Sequence, residues 1–382
     1  MSALHVGLFT ECYRPIQNGI VASLDALAHA IRARGHDVIF VTPSMPGYQE
    51  SHEHVVRIPS LPLPTRTAYR LTIPLLPHDR DARTLERLSI VHTHSAFVTG
   101  WMGSRLARRA RIPHIFTYHT QLEEYAHYFP FESSLTRSAA ASLTRSHCNS
   151  ADVVIVPTGA MERHLRDLGV RRRIEIVPSG IDVGFFASGR RNEAVRRALG
   201  VSPADKMVLA VGRLGREKNL ELTLEAFARL GVAGARLVLV GEGPHREILE
   251  RSAQRLGIAA STTFAGEFAR AELPDAYASA DVLAFTSRSE TQGLVLAEAL
   301  AAGLPVVAVD TPQTCDVLGS DGRIVAPEPF AVAAALRQAL EEPSRSREGP
   351  AVARRFDAAE IGDRILAIYA ELAQRPTVAA VG

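Results

Sequence analysis

The chain has 382 residues, 46% of them hydrophobic and 22% charged, with 43 Lys/Arg against 41 Asp/Glu. This length suggests two or three domains, and the balance excludes a disordered, collagen-like or low-complexity chain. Apolar runs such as Leu237–Val240 are far too short to span a membrane, and Met1-Ser2-Ala3-Leu4-His5 begins no basic-then-apolar leader. Cys12, Cys148 and Cys315 are too scattered for a disulfide framework or a zinc knuckle, so a cytosolic protein is expected.

In chain order, Leu4–Phe9, Asp37–Thr42, Leu88–His94, His114–His119, Asp152–Pro157 and Ile174–Pro178 read as strands rich in β-branched residues. Most are apolar nearly throughout, as strands buried on both faces must be. Between them Leu24, Leu27, Ala28 and Ile31 recur at helical spacing, with Gly35 as the expected C-cap. Trp101–Arg109 and Ser134–His147 are further helices. The second part repeats the alternation. Strands are expected at Met207–Val211, Arg236–Val240, Thr262–Phe264, Val282–Phe285 and Pro305–Val309. The helices between them are expected at Leu220–Leu230, His245–Leu256, Leu273–Ser279 and Leu294–Ala302. Strands alternating with helices imply an α/β protein with parallel sheets.

Composition places a boundary near residue 178. Residues 1–178 hold 20 Arg against 15 Asp/Glu and 13 of the 14 histidines, and the remainder holds 23 Lys/Arg against 26 Asp/Glu. The expected domains are 1–178, 179–356, and a C-terminal helix over 357–382 that packs back on the first domain. Only Lys206 and Lys218 are lysines. A retained lysine in a chain that otherwise uses arginine raises the question of whether a compact ammonium is required.

Three strand-to-helix loops in the second part carry chemistry. Val211-Gly212-Arg213-Leu214-Gly215-Arg216-Glu217-Lys218-Asn219 puts an arginine fork and a point-charge lysine on one glycine-rich turn. That suits a diphosphate, though a solvated loop would look similar. Gly241-Glu242-Gly243 lacks the third glycine of a dinucleotide fingerprint and reads as a tight turn. In Ser289-Glu290-Thr291-Gln292-Gly293-Leu294-Val295-Leu296-Ala297-Glu298, a polar loop leads into a helix near Gly293 whose free amides favour an anion. Glu298 sits among apolar neighbours and needs polar partners, which sugar hydroxyls could supply. A helix-dipole acid plus a surface glutamate is the plainer alternative.

Taken together these motifs resemble the family 4 retaining glycosyltransferases of the GT-B fold. The Glu290-x7-Glu298 pattern is that family's signature. Arg213 and Lys218 match its diphosphate-binding pair, and Val177-Pro178-Ser179-Gly180-Ile181-Asp182 matches its interdomain segment. The resemblance implies two facing Rossmann-like domains with a cleft between them, the first for the acceptor and the second for the nucleotide sugar. It places Glu290 by the donor sugar, Glu298 on the ribose hydroxyls, and Arg213, Lys218 and the Gly293–Val295 amides on the diphosphate. Thr291, Gln292, Gly293, Leu294 and Val295 complete the donor-binding segment. Gly19 falls in the front loop that closes on the phosphates, His119 of Tyr118-His119-Thr120 near the reacting carbon, and Phe268 beside the base.

Within the family, His92-Thr93-His94-Ser95-Ala96-Phe97, Tyr118-His119-Thr120, Tyr125-Ala126-His127-Tyr128 and Glu290-Thr291-Gln292-Gly293 look most like bacterial diacylglycerol glucosyltransferases. That implies UDP-glucose as donor, a lipid hydroxyl as acceptor, and no cofactor or metal. Other members use GDP-mannose or act on soluble acceptors and natural products, and a non-catalytic sugar-nucleotide-binding protein is a further alternative.

Asp79-Arg80-Asp81 has the spacing of metal-dependent transferases but no strand leading into it, and reads as a solvated loop. His92, His94, His114 and His119 suggest zinc only weakly, because strand-end histidines more often serve as hydrogen-bond partners. A hydride-transfer enzyme would need glycines after the first strand, where Thr10-Glu11-Cys12-Tyr13-Arg14 stands. Proline-rich Leu61–Arg83, the Arg105/Arg108/Arg109 face beside Trp101, and Arg171-Arg172-Arg173 make an anionic membrane surface a candidate partner, with a peripheral location on the inner face of the cell membrane. A solvated helix face is the alternative, and nucleic acid is a poorer match because no aromatic stacking run accompanies the charges.

Overall fold

A strand covered by helices on both faces has no solvent side, so each of its positions must tolerate burial. Val153–Val156 and Val282–Phe285 meet that condition at every residue. The structure, a computed structural model, describes residues 3–16, 18–48, 54–63, 70–75, 79–123, 134–342 and 345–374.

The chain begins with β1 (His5–Phe9), α1 (Gly19–Arg32), β2 (Asp37–Pro43) and β3 (Val55–Ile58), then a small antiparallel hairpin of β4 (Ser60–Pro62) and β5 (Arg70–Thr72). It continues through α2 (Asp79–Glu86), β6 (Ile90–Thr93), α3 (Val98–Ala110), β7 (His114–Thr117), α4 (Ser134–Ser150), β8 (Val153–Val156), α5 (Gly159–Asp167) and β9 (Arg173–Ile176). Seven of these strands form one parallel sheet in the order β3-β2-β1-β6-β7-β8-β9.

Two short helices follow, α6 (Val183–Ala187) and α7 (Glu193–Ala198), before a second alternation. It runs β10 (Lys206–Val211), α8 (Leu220–Ala228), β11 (Ala235–Val240), α9 (Arg246–Arg255), β12 (Thr262–Gly266), α10 (Leu273–Ser279), β13 (Val282–Phe285) and α11 (Leu294–Ala301). The last elements are β14 (Val306–Val309), α12 (Pro312–Leu318), β15 (Arg323–Val325), α13 (Pro329–Glu341), α14 (Gly349–Ala353) and α15 (Ala358–Ala373). The six strands pair in parallel in the order β12-β11-β10-β13-β14-β15.

The chain divides into two compact units, Met1–Gly180 with Ala358–Gly382, and Ile181–Asp357. α15 thus belongs to the first unit. Its Ile361, Ile365, Ile368, Tyr369 and Leu372 recur at helical spacing and join Val21, Leu24, Leu27, Ala28 and Ile31 of α1 in one buried cluster. Gly362 is required there, because a Cβ on it would lie 2.4 Å from the Ala30 Cβ.

Two local readings are corrected. Asp79-Arg80-Asp81 is the first turn of α2 rather than a loop, its two acids placed where the helix dipole favours them. α1 ends at Arg32 with Ala33 as C-cap, and Gly35, at φ +80°, turns the chain into β2 beyond the cap.

Both sheets share one topological property. From the first strand, β1 or β10, the chain builds outward on one side and then crosses to the other, with β6 or β13. The loops leaving the carboxyl ends of β1 and β6, and of β10 and β13, therefore splay apart at a switch point, the usual ligand crevice of an open α/β sheet.

Candidate functional site

In the second unit the three candidate loops leave β10, β11 and β13 on the same edge of the sheet. A Cβ on Gly241 would lie 2.1 Å from the Gly212 carbonyl oxygen, and one on Gly243 would lie 2.4 Å from that of Leu214. The Gly-x-Gly pair thus does more than turn the chain: it lets the second loop lie against the first. The Leu214 N–H donates to the Glu242 carbonyl and the His245 N–H to that of Leu214, each at 2.9 Å. The third loop is tied to the first by the Thr286 hydroxyl, which donates to the Asn219 carbonyl at 2.9 Å, and by the Ser287 hydroxyl, which donates to that of Glu217 at 3.2 Å.

This lacing brings Lys218 and Glu290 together across the switch point. The Lys218 ammonium donates to a Glu290 carboxylate oxygen, with the two side chains 24% and 19% exposed. The resemblance implies separate partners for them, diphosphate and sugar; in the structure they are partners of each other. Arg213 is half-buried on the same first loop.

Gly293, at φ +80°, caps α11. Leu294 and Val295 pack against the apolar cluster that Phe268 also joins, Gln292 is buried and Thr291 half-buried. Glu298 lies one turn into α11 and is buried, and the Tyr277 hydroxyl donates to its Oε2 at 2.6 Å. Burial pushes the Glu298 carboxyl up, while the Tyr277 bond and the Arg270 charge pull it back. Sequence reasoning missed Tyr277. It lies 21 positions from Glu298 on a different helix, and no motif marks it.

In the first unit, His94 follows β6 and His119 follows β7, neighbouring strands of the sheet. Their imidazoles meet with Nδ1 of His94 2.9 Å from Nε2 of His119. Behind them His92 is held at both nitrogens, Nδ1 2.5 Å from the Tyr369 hydroxyl and Nε2 2.7 Å from that of Thr117. Burial lowers His119 to about 4. Burial and neighbouring imidazoles hold His92 and His94 well below the ordinary histidine value. At neutral pH the cluster is therefore uncharged, able to donate and accept hydrogen bonds but supplying no cation. Among the described residues, no group of three His, Cys, Asp or Glu is arranged to hold a metal ion.

Gly19 is the exposed first residue of α1, behind Asn18, whose side chain caps the helix by accepting from the Val21 N–H at 2.9 Å. Trp101, Arg105, Arg108 and Arg109 are exposed on α3, with the Arg105 guanidinium 5.6 Å from the Trp101 ring centroid. Arg173 is bridged to Glu175 and Glu371 at 2.7 and 2.6 Å, which leaves the Arg171–Arg173 run less cationic than it reads. Tyr125–Tyr128 and part of Leu61–Arg83 lie outside the described residues.

Two doubly wound units, with a cation–carboxylate pair at the switch point of the second, define a GT-B-type glycosyltransferase. Profiles for "Glycosyltransferase Family 4" and "Glycosyl transferases group 1" match residues 17–185 and 191–354. The chain belongs to the family 4 glycosyltransferases and is a hexosyltransferase. It is 33% identical over 320 residues to an alpha-monoglucosyldiacylglycerol synthase of Streptococcus pneumoniae, covering 81% of this chain and 72% of that protein. It is 31% identical over 326 residues to a GDP-mannose-dependent alpha-mannosyltransferase of Mycobacterium tuberculosis, covering 83% and 82%. Among solved structures, HepE of Anabaena in complex with UDP-glucose aligns with a TM-score of 0.77 at 22% identity, covering 96% of this chain and all of that one. Among the described residues, no helix is long and apolar enough to cross a membrane.

Proposed function

We propose that this enzyme moves a hexose, glucose in first place, from a UDP-sugar to a lipid hydroxyl such as that of diacylglycerol, retaining configuration to give an α-linkage and requiring no metal ion. The Lys218–Glu290 pair carries the donor half of this reading. It sets a compact cation, suited to a diphosphate, beside a carboxylate suited to sugar hydroxyls. The acceptor half is supported by the synthase relatives from Streptococcus pneumoniae and Acholeplasma laidlawii, the latter 29% identical over 335 residues.

In this reading the bond from the sugar's anomeric carbon to the β-phosphate oxygen breaks as the acceptor oxygen approaches on the same face. The acceptor proton passes to the leaving phosphate. Lys218, Arg213 and the Gly293–Val295 amides stabilise the charge that develops on the diphosphate. Glu290 and neutral His119 bind the transferred sugar, Glu298 binds the ribose, and Phe268 lies beside the base. Gly19 contributes its amide to the phosphates.

The M. tuberculosis mannosyltransferase relative supports a second reading, GDP-mannose as donor. Calorimetry with UDP- and GDP-sugars side by side separates the two. Full transfer in excess chelator with an α-linked product by NMR is expected; a strict metal requirement or a β-linked product overturns the mechanism. A peripheral cytoplasmic location is proposed from the exposed Trp101–Arg109 face, and co-sedimentation with anionic but not neutral liposomes tests it.

A further inference from the structure

The side chain of Glu298 is placed by a residue that no motif marks. Tyr277 lies on α10, has no exposed surface, and donates its hydroxyl to Glu298 Oε2 at 2.6 Å. Its ring is itself fixed, edge-on to Phe186 with centroids 5.8 Å apart, within the cluster that also holds Leu296, Ala297 and Ala299 of α11. A fully buried phenol held in this packing gives the carboxylate one orientation. Among the described residues, Glu298 Oε1 has no hydrogen bond.

We propose that Tyr277 is the positioning residue of the nucleotide site: by holding Oε2 of Glu298 it presents Oε1 as the acceptor for a ribose hydroxyl of a nucleoside diphosphate. This rests on the ribose role given to Glu298 above. The physical argument is pre-organisation. A buried carboxylate without a donor rotates or takes up a proton, and either change removes the acceptor from the nucleotide. A phenol is suited to the task, because it donates one bond and brings no charge that would compete with the ligand.

The test is Tyr277→Phe, which removes one oxygen and keeps the ring. Binding of UDP, or of GDP where the donor panel selects it, is measured beside binding of the same nucleotide lacking its 2′ and 3′ hydroxyls. UDP affinity is expected to fall about tenfold, or about 1.4 kcal/mol. The dideoxy nucleotide should lose little, turnover at saturating donor should be retained, and Glu298→Gln should abolish the difference between the two tyrosine forms. An equal loss for both nucleotides, or the same loss in the Glu298→Gln background, means that Tyr277 acts through the general fold and overturns the proposal, as does unchanged UDP affinity. If Glu298→Gln itself leaves UDP binding intact, the ribose reading fails first, and the two failures are told apart. Tyr277→Met repeats the comparison should the phenylalanine variant not fold.

Discussion

Lys218→Met removes the ammonium at the switch point and keeps most of the alkyl stem. A charge-assisted bond to a diphosphate contributes about 1.5–3 kcal/mol. Before it forms, Lys218 must leave Glu290, and a partly exposed pair of this kind is worth of order 1 kcal/mol or less. The difference, about 0.5–3 kcal/mol, predicts that UDP binds roughly two- to 150-fold more weakly. In the single variant Glu290 also faces the phosphates without its cation, which adds repulsion. Lys218→Met combined with Glu290→Gln, compared with Glu290→Gln alone, isolates the lysine contact. Isothermal titration with UDP at fixed ionic strength measures all four proteins. If adding Lys218→Met to Glu290→Gln leaves UDP affinity within about twofold, Lys218 does not touch the diphosphate, and the assignment built on its rarity and position is wrong.

Glu290→Gln should leave UDP binding at least as tight as before, because the competitor for Lys218 is neutralised, while turnover falls. Glu298→Gln should weaken UDP and UDP-sugar alike, and equal UDP losses in the two variants would falsify the division into sugar-side and ribose-side acids. His119→Ala should lower turnover with little effect on UDP. His94→Leu should follow it, and His94→Asn, which keeps a donor near the Nδ1 position, should recover part of the loss; an active His94→Leu enzyme contradicts a role through His119. The buried histidines also set an acid limit. His114 and His119 are lowered to about 4 and His147 to about 3, against 6.5 for the ordinary side chain. The unfolded chain therefore binds more protons through that window, and stability present above about pH 6.5 is lost as pH falls toward 4. Urea midpoints at pH 7, 6 and 5 should decline in turn, and a flat profile refutes the shifts.

Most strands were legible because burial on both faces leaves runs such as Val282–Phe285 apolar throughout. What escaped had weak local signals. β15 has three residues, and β3, Val55–Ile58, alternates buried and half-buried positions within four. α12, α13 and α14 each begin with proline at the first or second position, which reads as punctuation until the rest of the turn is seen. The candidate site divides in the same way. Loops with a motif, such as Gly212–Asn219 and Glu290–Gly293, were visible because their chemistry is contiguous. The pairings that give the loops their geometry were not. Lys218 and Glu290 are 72 positions apart, His94 and His119 are 25 apart, and Tyr277 and Glu298 are 21 apart. The first two pairings follow from strand order in the sheets and the third from the packing of α10 against α11, neither of which periodicity alone reveals.

The placement of α15 in the first unit inverts the order in which the chain can finish folding. A ribosome delivers residues from the N-terminus, so the second unit, which ends at Asp357, has its whole sequence available while the first still lacks Ala358–Ala373. Until then the apolar side of α1 is without Ile361, Ile365 and Ile368, and His92 Nδ1 is without the Tyr369 hydroxyl. The N-terminal unit is the first to be synthesised and the last to close its core. A stop codon at residue 358 would leave that core open at the opposite end of the sequence while sparing the unit it adjoins.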